Sequence, residues 1–104
     1  MAPGIYLIIE FDWPGHITPE IRKNASELHR VVEDEEWIRE VAAGSSGIGG
    51  MASSIWIFWL RDYSSLDILL RDKKNAIHRA YMEFFEKMIN VSDQIKEEII
   101  FEKD

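Results

Sequence analysis

Apolar and polar positions along the chain follow two periods, and their order reads β-α-β-β-α-β. Residues 5–13, IYLIIEFDW, are rich in β-branched and aromatic types and predict a first strand. Alternation puts Ile5, Leu7, Ile9, Phe11 and Trp13 on one face and Tyr6, Ile8, Glu10 and Asp12 on the other. The first face is wholly apolar and is expected beneath helices. The mixed face looks onto water, a cavity or a partner. Pro14-Gly15 ends the strand. Thr18-Pro19-Glu20 offers a hydroxyl cap, a proline in the first turn and an acid near the positive end, which predicts a helix over 19–33. Ile21, Ala25, Leu28 and Val32 form its apolar stripe.

Residues 37–43, WIREVAA, fit either a short helix between Asp34 and Gly44 or a second strand. The strand is preferred because the next strand needs a partner, and Gly44 to Gly50 suits a hairpin connection. Residues 52–60, ASSIWIFWL, are the clearest strand; Ser54, Trp56 and Phe58 share one face, and Ile55, Ile57 and Trp59 the other. Ser64, with Asp67 three residues on, predicts a helix start and a short helix to about Leu70. A longer helix over 75–89 carries Ile77, Ala80, Tyr81, Phe84, Phe85 and Met88 as a wide apolar stripe, with Asn90 as its stop. Residues 94–102 close the chain as a strand with Ile95, Ile99 and Phe101 on one face.

This order predicts one α+β domain spanning residues 1–104: a four-stranded antiparallel sheet with both helical regions on one side. The other sheet face is then open. It is expected to carry Tyr6, Ile8, Trp56 and Phe58 beside polar Glu10 and Ser54. So much exposed aromatic surface is unusual for a monomer, and a two-fold dimer with sheets face to face would cover it.

The segment SIWIFWLRDYSSLDILLRDKKNAIHRAYMEFFEKM, residues 54–88, resembles the third strand and second helical region of the dimeric α+β barrel superfamily. That group includes antibiotic-biosynthesis-monooxygenase-like and NIPSNAP-like domains. The resemblance implies a ferredoxin-like βαββαβ fold and a homodimer whose sheets pair as a barrel. It also implies a cavity for a small hydrophobic or aromatic molecule, with cofactor-independent oxygenation or isomerisation as the associated chemistry. Haem-degrading members of the group use a first-strand asparagine, a third-strand tryptophan and a second-helix histidine. This chain has Trp56 or Trp59 and His78, but Tyr6, Ile8 and Glu10 where the asparagine would stand, and His78 falls late. No cofactor is therefore expected.

Composition narrows the remaining classes. The chain has 12 Lys+Arg against 19 Asp+Glu, a net charge of −7, and lacks the basic stripe that phosphate neutralisation requires. The same charge disfavours an anionic membrane surface. With no cysteine, thiolate catalysis and zinc–thiolate sites are excluded, and three isolated histidines do not make a metal site. No basic leader or membrane-length apolar run is present, which gives a cytoplasmic expectation. GSSGIGG lacks the phosphate-loop lysine and reads as a hairpin loop or a lid.

The candidate residues are few. Glu10, aimed into an apolar cavity, is a candidate base, and His78, beside its helix's apolar stripe, a candidate proton carrier. Tyr6, Ser54, Trp56 and Phe58 are the candidate ligand-binding set over the open sheet face, where aromatic walls could hold a flat molecule. The competing reading is a non-catalytic structural or regulatory dimer in which these aromatics only fill an interface.

Overall fold

The computed structural model describes residues 2–46, 48 and 52–101. Seven elements follow in order: β1 (Ile5–Asp12), α1 (Pro19–Glu33), β2 (Ile38–Ser45), β3 (Ser54–Leu60), α2 (Tyr63–Arg71), α3 (Ala76–Glu86) and β4 (Ile89–Glu97). The strands form one antiparallel sheet in the order β2-β3-β1-β4. This is the predicted βαββαβ arrangement, with the second helical region split into α2 and α3.

Of residues 37–43, Trp37 lies in the preceding turn and the rest belong to a strand, β2, which runs on to Ser45. Their carbonyls and amides complete the ladder of β3, which a helix there would leave unpaired. The helix starts follow side-chain caps. Thr18 Oγ1 accepts from the Ile21 amide at 3.2 Å. Asn75 Oδ1 accepts from the Ile77 amide at 2.9 Å. The cap of α2 is Asp62, not Ser64: its Oδ1 accepts from both the Ser65 amide and the Ser65 hydroxyl at 2.9 Å. A carboxylate at this position also meets the positive end of the helix, so it outcompetes a hydroxyl two residues later.

The last strand is the largest departure. It begins at Ile89 rather than 94 and ends at Glu97 rather than 102. Asn90, expected as a helix stop, lies inside β4 at φ 53, a left-handed conformation that asparagine tolerates. Its side-chain Nδ2 donates to Asp12 Oδ2 at 2.9 Å, and a register shift in the β1–β4 ladder falls beside it. Met88, Ile89 and Val91 carry the apolar pattern of α3 onward, so periodicity alone cannot separate helix from strand there. Ile99 and Phe101 lie beyond the strand, and Glu102 is outside the described residues. Of the hairpin loop, Gly44 and Ser45 are in β2, and the Ser46 amide donates to the Ser53 carbonyl at 2.6 Å. Gly47, Gly49 and Gly50 are outside the described residues, so the lid expectation lies there too.

The core is built on the inner face of β1. Ile5, Leu7, Ile9 and Phe11 are buried under the helices, as the alternation predicts. Leu28 of α1, Leu69 of α2, and Ile77 and Phe84 of α3 cover them. Packing is dominated by aromatic rings. Trp56 stacks on Phe84 at 5.1 Å, and Phe11 meets Phe84 and Phe85 edge-on at 5.9 and 5.4 Å. The helix layer stops short of β4. Ile95 sits opposite Leu7 in register yet is 45% exposed, against 0% for Leu7.

Candidate functional site

The register of β1 with β3 decides which side chains share a face. Phe11 pairs with Ser54, Ile9 with Trp56 and Leu7 with Phe58, so Ser54, Trp56 and Phe58 lie on the helix side. Tyr6 pairs with Trp59, Ile8 with Ile57 and Glu10 with Ile55 on the open side. The expected grouping of Tyr6 and Glu10 with Ser54, Trp56 and Phe58 is therefore split across the sheet. Both faces of β3 are apolar, so its own sequence is symmetric to the choice. Pairing with the fully apolar face of β1 breaks the tie.

The open face carries an apolar centre of Tyr6, Ile8, Ile55, Ile57 and Trp59, all half-buried. Tyr6 stacks on Trp59 at 6.1 Å, and these two with Glu40, Ala42 and Ile57 line a shallow depression of about 270 Å³. Glu10 borders a groove of about 400 Å³ with Ser45, Ser46, Ser53, Ser54 and Ile55 at the loop end of β2 and β3.

A polar clamp closes one end of this face. Glu98 Oε1 accepts from the Gly4 amide at 2.8 Å, Trp59 Nε1 at 3.1 Å and Arg39 Nη1 at 3.3 Å. The Arg39 guanidinium also lies over the Trp59 ring, 5.4 Å from its centroid, and donates to the Ala2 carbonyl at 3.1 Å. One carboxylate thus ties together the ends of all four strands. Sequence reasoning missed Arg39 and Glu98. Both look like ordinary edge-strand charges, and no local spacing brings residues 59 positions apart together.

A second cleft, of about 210 Å³, opens on the helix side at the loop end of β2 and β3. Phe11, Trp13, Trp56, Ala43, Ser45 and Ser54 line it. Its walls are aromatic: Trp13 meets Phe11 and Phe84 edge-on at 5.7 and 5.5 Å. Its polar feature is a hydroxyl pair, Ser45 Oγ and Ser54 Oγ, 2.8 Å apart, with Ser54 buried. Ser54 and Trp56 meet here, while Phe58 lies deeper in the core, fully buried.

The candidate proton-moving groups are at neither aromatic site. Glu10 is on the opposite side of the sheet from Trp56. His78 is buried near the start of α3, and its Nδ1 lies 2.9 Å from the Leu69 carbonyl. A carbonyl only accepts, so Nδ1 carries the proton and joins the end of α2 to α3. His78 precedes Phe84 by six residues, about 9 Å of helix rise away from the cleft. Burial pushes the Tyr81 phenol well above its ordinary range, and the nearby Asp93 carboxylate adds to this. Tyr81 is accordingly neutral, and not a base. Among the described residues, no group of three or more His, Asp or Glu side chains is placed to hold a metal ion. Nor, among them, is any helix long and apolar enough to cross a membrane.

Sheet order and a one-sided helix layer define a ferredoxin-like α+β fold, and solved structures share it. A dimeric ferredoxin-like protein of unknown function from Thermobifida fusca matches with TM-score 0.68 at 18% identity, over 89% of each chain. A dimeric ferredoxin-like protein of unknown function from a Jannaschia species matches with TM-score 0.68 at 12% identity, over 93% of this chain and 99% of that one. An ethyl tert-butyl ether D family protein from Bacillus halodurans matches with TM-score 0.59 at 17% identity, over 92% and 99%. No family model matches the sequence, and no curated protein matches it. At these identities the likeness is one of fold.

Proposed function

We propose that the protein is a homodimer of the dimeric α+β barrel kind. Two copies pair through their open sheet faces, and each copy holds a small planar apolar molecule in the cleft between Trp13, Trp56 and the Ser45–Ser54 pair. The observation that carries the dimer is the apolar centre of Tyr6, Ile8, Ile55, Ile57 and Trp59 on a face no helix covers. Such a surface is normally an interface, and a two-fold axis lets the same patch serve both partners. The description of the Thermobifida and Jannaschia neighbours as dimeric supports this reading. For the cleft, aromatic walls with one polar anchor are what a flat ligand bearing a single hydroxyl or carbonyl needs.

Whether chemistry follows binding turns on a proton-moving group. Neither Glu10 nor His78 reaches the cleft, which favours a binding or regulatory dimer over a monooxygenase- or isomerase-like enzyme. Sedimentation velocity at micromolar concentration tests the assembly: a dimer is expected, and Ile57→Lys, which buries a charge at its centre, should give monomer. A wild-type monomer refutes the reading. Titration with naphthol tests the cleft. Quenching of tryptophan fluorescence that survives Trp59→Phe but is lost in Trp56→Ala is expected. Equal quenching in Trp56→Ala removes the cleft from the proposal.

A further inference from the structure

The exposed large apolar side chains are unevenly placed. Among the described residues, Ile89, Val91, Ile95, Ile99, Ile100 and Phe101 fall in the last strand and the segment after it, while Ile17, Ile48, Tyr63 and Met82 are scattered singly elsewhere. Three of them follow the clamp residue Glu98 directly, and Ile99 and Phe101 are 73% and 84% exposed. Among the described residues no hydrogen bond ties 99–101 to the body; the last link is the Glu98 amide donating to the Gly4 carbonyl at 2.9 Å. The chain therefore leaves the sheet at the rim of its open face and carries an Ile-Ile-Phe run into solvent.

The area needed for pairing bears on what covers this run. Each half-buried side chain at the centre of the open face exposes no more than about 70 Å². The five together supply less than about 350 Å² of apolar surface. A stable interface takes about 800 Å² from each partner, of which roughly 450–520 Å² is apolar. The five side chains alone fall short of that apolar share. Phe101 by itself offers roughly 170 Å² more, and Ile99 and Ile100 add to it.

We infer that residues 99–101 form an arm that docks on the second copy, extending the sheet-to-sheet contact past its rim. This rests on the face-to-face dimer. Glu98 supplies the fixed hinge: held by three donors, it sets the direction in which the arm leaves. The two-fold then returns an equivalent arm from the partner, so each is exchanged for the other. The arm's chemistry matches such a site, since it is uncharged and apolar while the chain overall carries −7. Two copies of so acidic a protein repel, and a neutral contact segment avoids adding to that repulsion.

The test is I99S/I100S/F101S, measured by sedimentation equilibrium beside Ile57→Lys. The three side chains are exposed, so the melting temperature of the dissociated protein should be unchanged. The dimer dissociation constant should rise at least tenfold. A dissociation constant within twofold of wild type overturns the arm. If that happens while Ile57→Lys is monomeric, the arm fails and the face-to-face dimer stands. If Ile57→Lys remains dimeric, the dimer reading itself fails and takes the arm with it.

Discussion

Glu98→Ala is the substitution whose consequence the geometry specifies most closely. It removes the acceptor for the Gly4 amide, the Trp59 indole and the Arg39 guanidinium at once. A hydrogen bond to a charged group is worth roughly 1.5–3 kcal/mol, but the three share one oxygen and do not add. Exposure brackets the total. A solvated ion pair is worth under about 1 kcal/mol, and breaking a buried one costs about 3–5 kcal/mol. Arg39 and Glu98 side chains are 17% and 16% exposed, near the buried end. Arg39 keeps the Ala2 carbonyl and the Trp59 ring, which softens its loss. The expected destabilisation is about 3 kcal/mol. For a chain of this size that lowers Tm by roughly 12–24 °C.

The assay is urea unfolding followed by tryptophan fluorescence, at fixed protein concentration because association contributes to stability. Glu98→Gln keeps a neutral acceptor and should lose only about 1 kcal/mol. Arg39→Ala combined with Glu98→Ala should cost less than the two singly, because the second change no longer strands a charge. A Glu98→Ala protein within about 0.5 kcal/mol of wild type would show that the four strand ends hold without the clamp, and the reasoning would fail.

Two further outcomes follow from the same packing. Gly4→Ala should cost about 3 kcal/mol, the upper end for overpacking, because the new methyl would collide with the Leu60 carbonyl oxygen, a backbone atom that cannot turn away. Equal urea midpoints for Gly4→Ala and wild type would contradict the close approach. Tyr81 sets an alkaline limit: its phenol is raised in the folded state, so its contribution is complete below the ordinary tyrosine range and lost as pH climbs through and above it. Tyr81→Phe should flatten the fall of the urea midpoint above about pH 10, and an unchanged slope would assign that limb to other groups.

Much of the fold was legible because local rules and burial agreed. In β1, strict alternation of Ile5, Leu7, Ile9 and Phe11 admits one inner face, and that face is buried. In α1, Thr18, Pro19 and the Ile21–Leu28–Val32 stripe set both start and orientation. The α2 cap was legible only to within two residues, since Asp62 and Ser64 both satisfy the preference and geometry chooses between them.

The site was less legible, for reasons that lie outside any local window. β3 is apolar on both sides, so its chain pattern is indifferent to which face meets the helices; only hydrogen-bonded register with β1 sends Ser54, Trp56 and Phe58 inward and leaves Trp59 beside Tyr6. β4 begins within an apolar run that continues the period of α3, and its start depends on Asn90 turning left-handed to reach Asp12. The clamp joins Gly4, Arg39, Trp59 and Glu98 from four separate strand ends. Sequence by itself determined β1, α1, β3 and the two later helices, their order and the inner face of β1, because those depend on each residue's own preferences and its near neighbours; the strand identity of β2 and the bounds of β4 needed their partners. Tertiary structure alone decided which aromatics share a surface, because register is a relation between strands and belongs to neither of them.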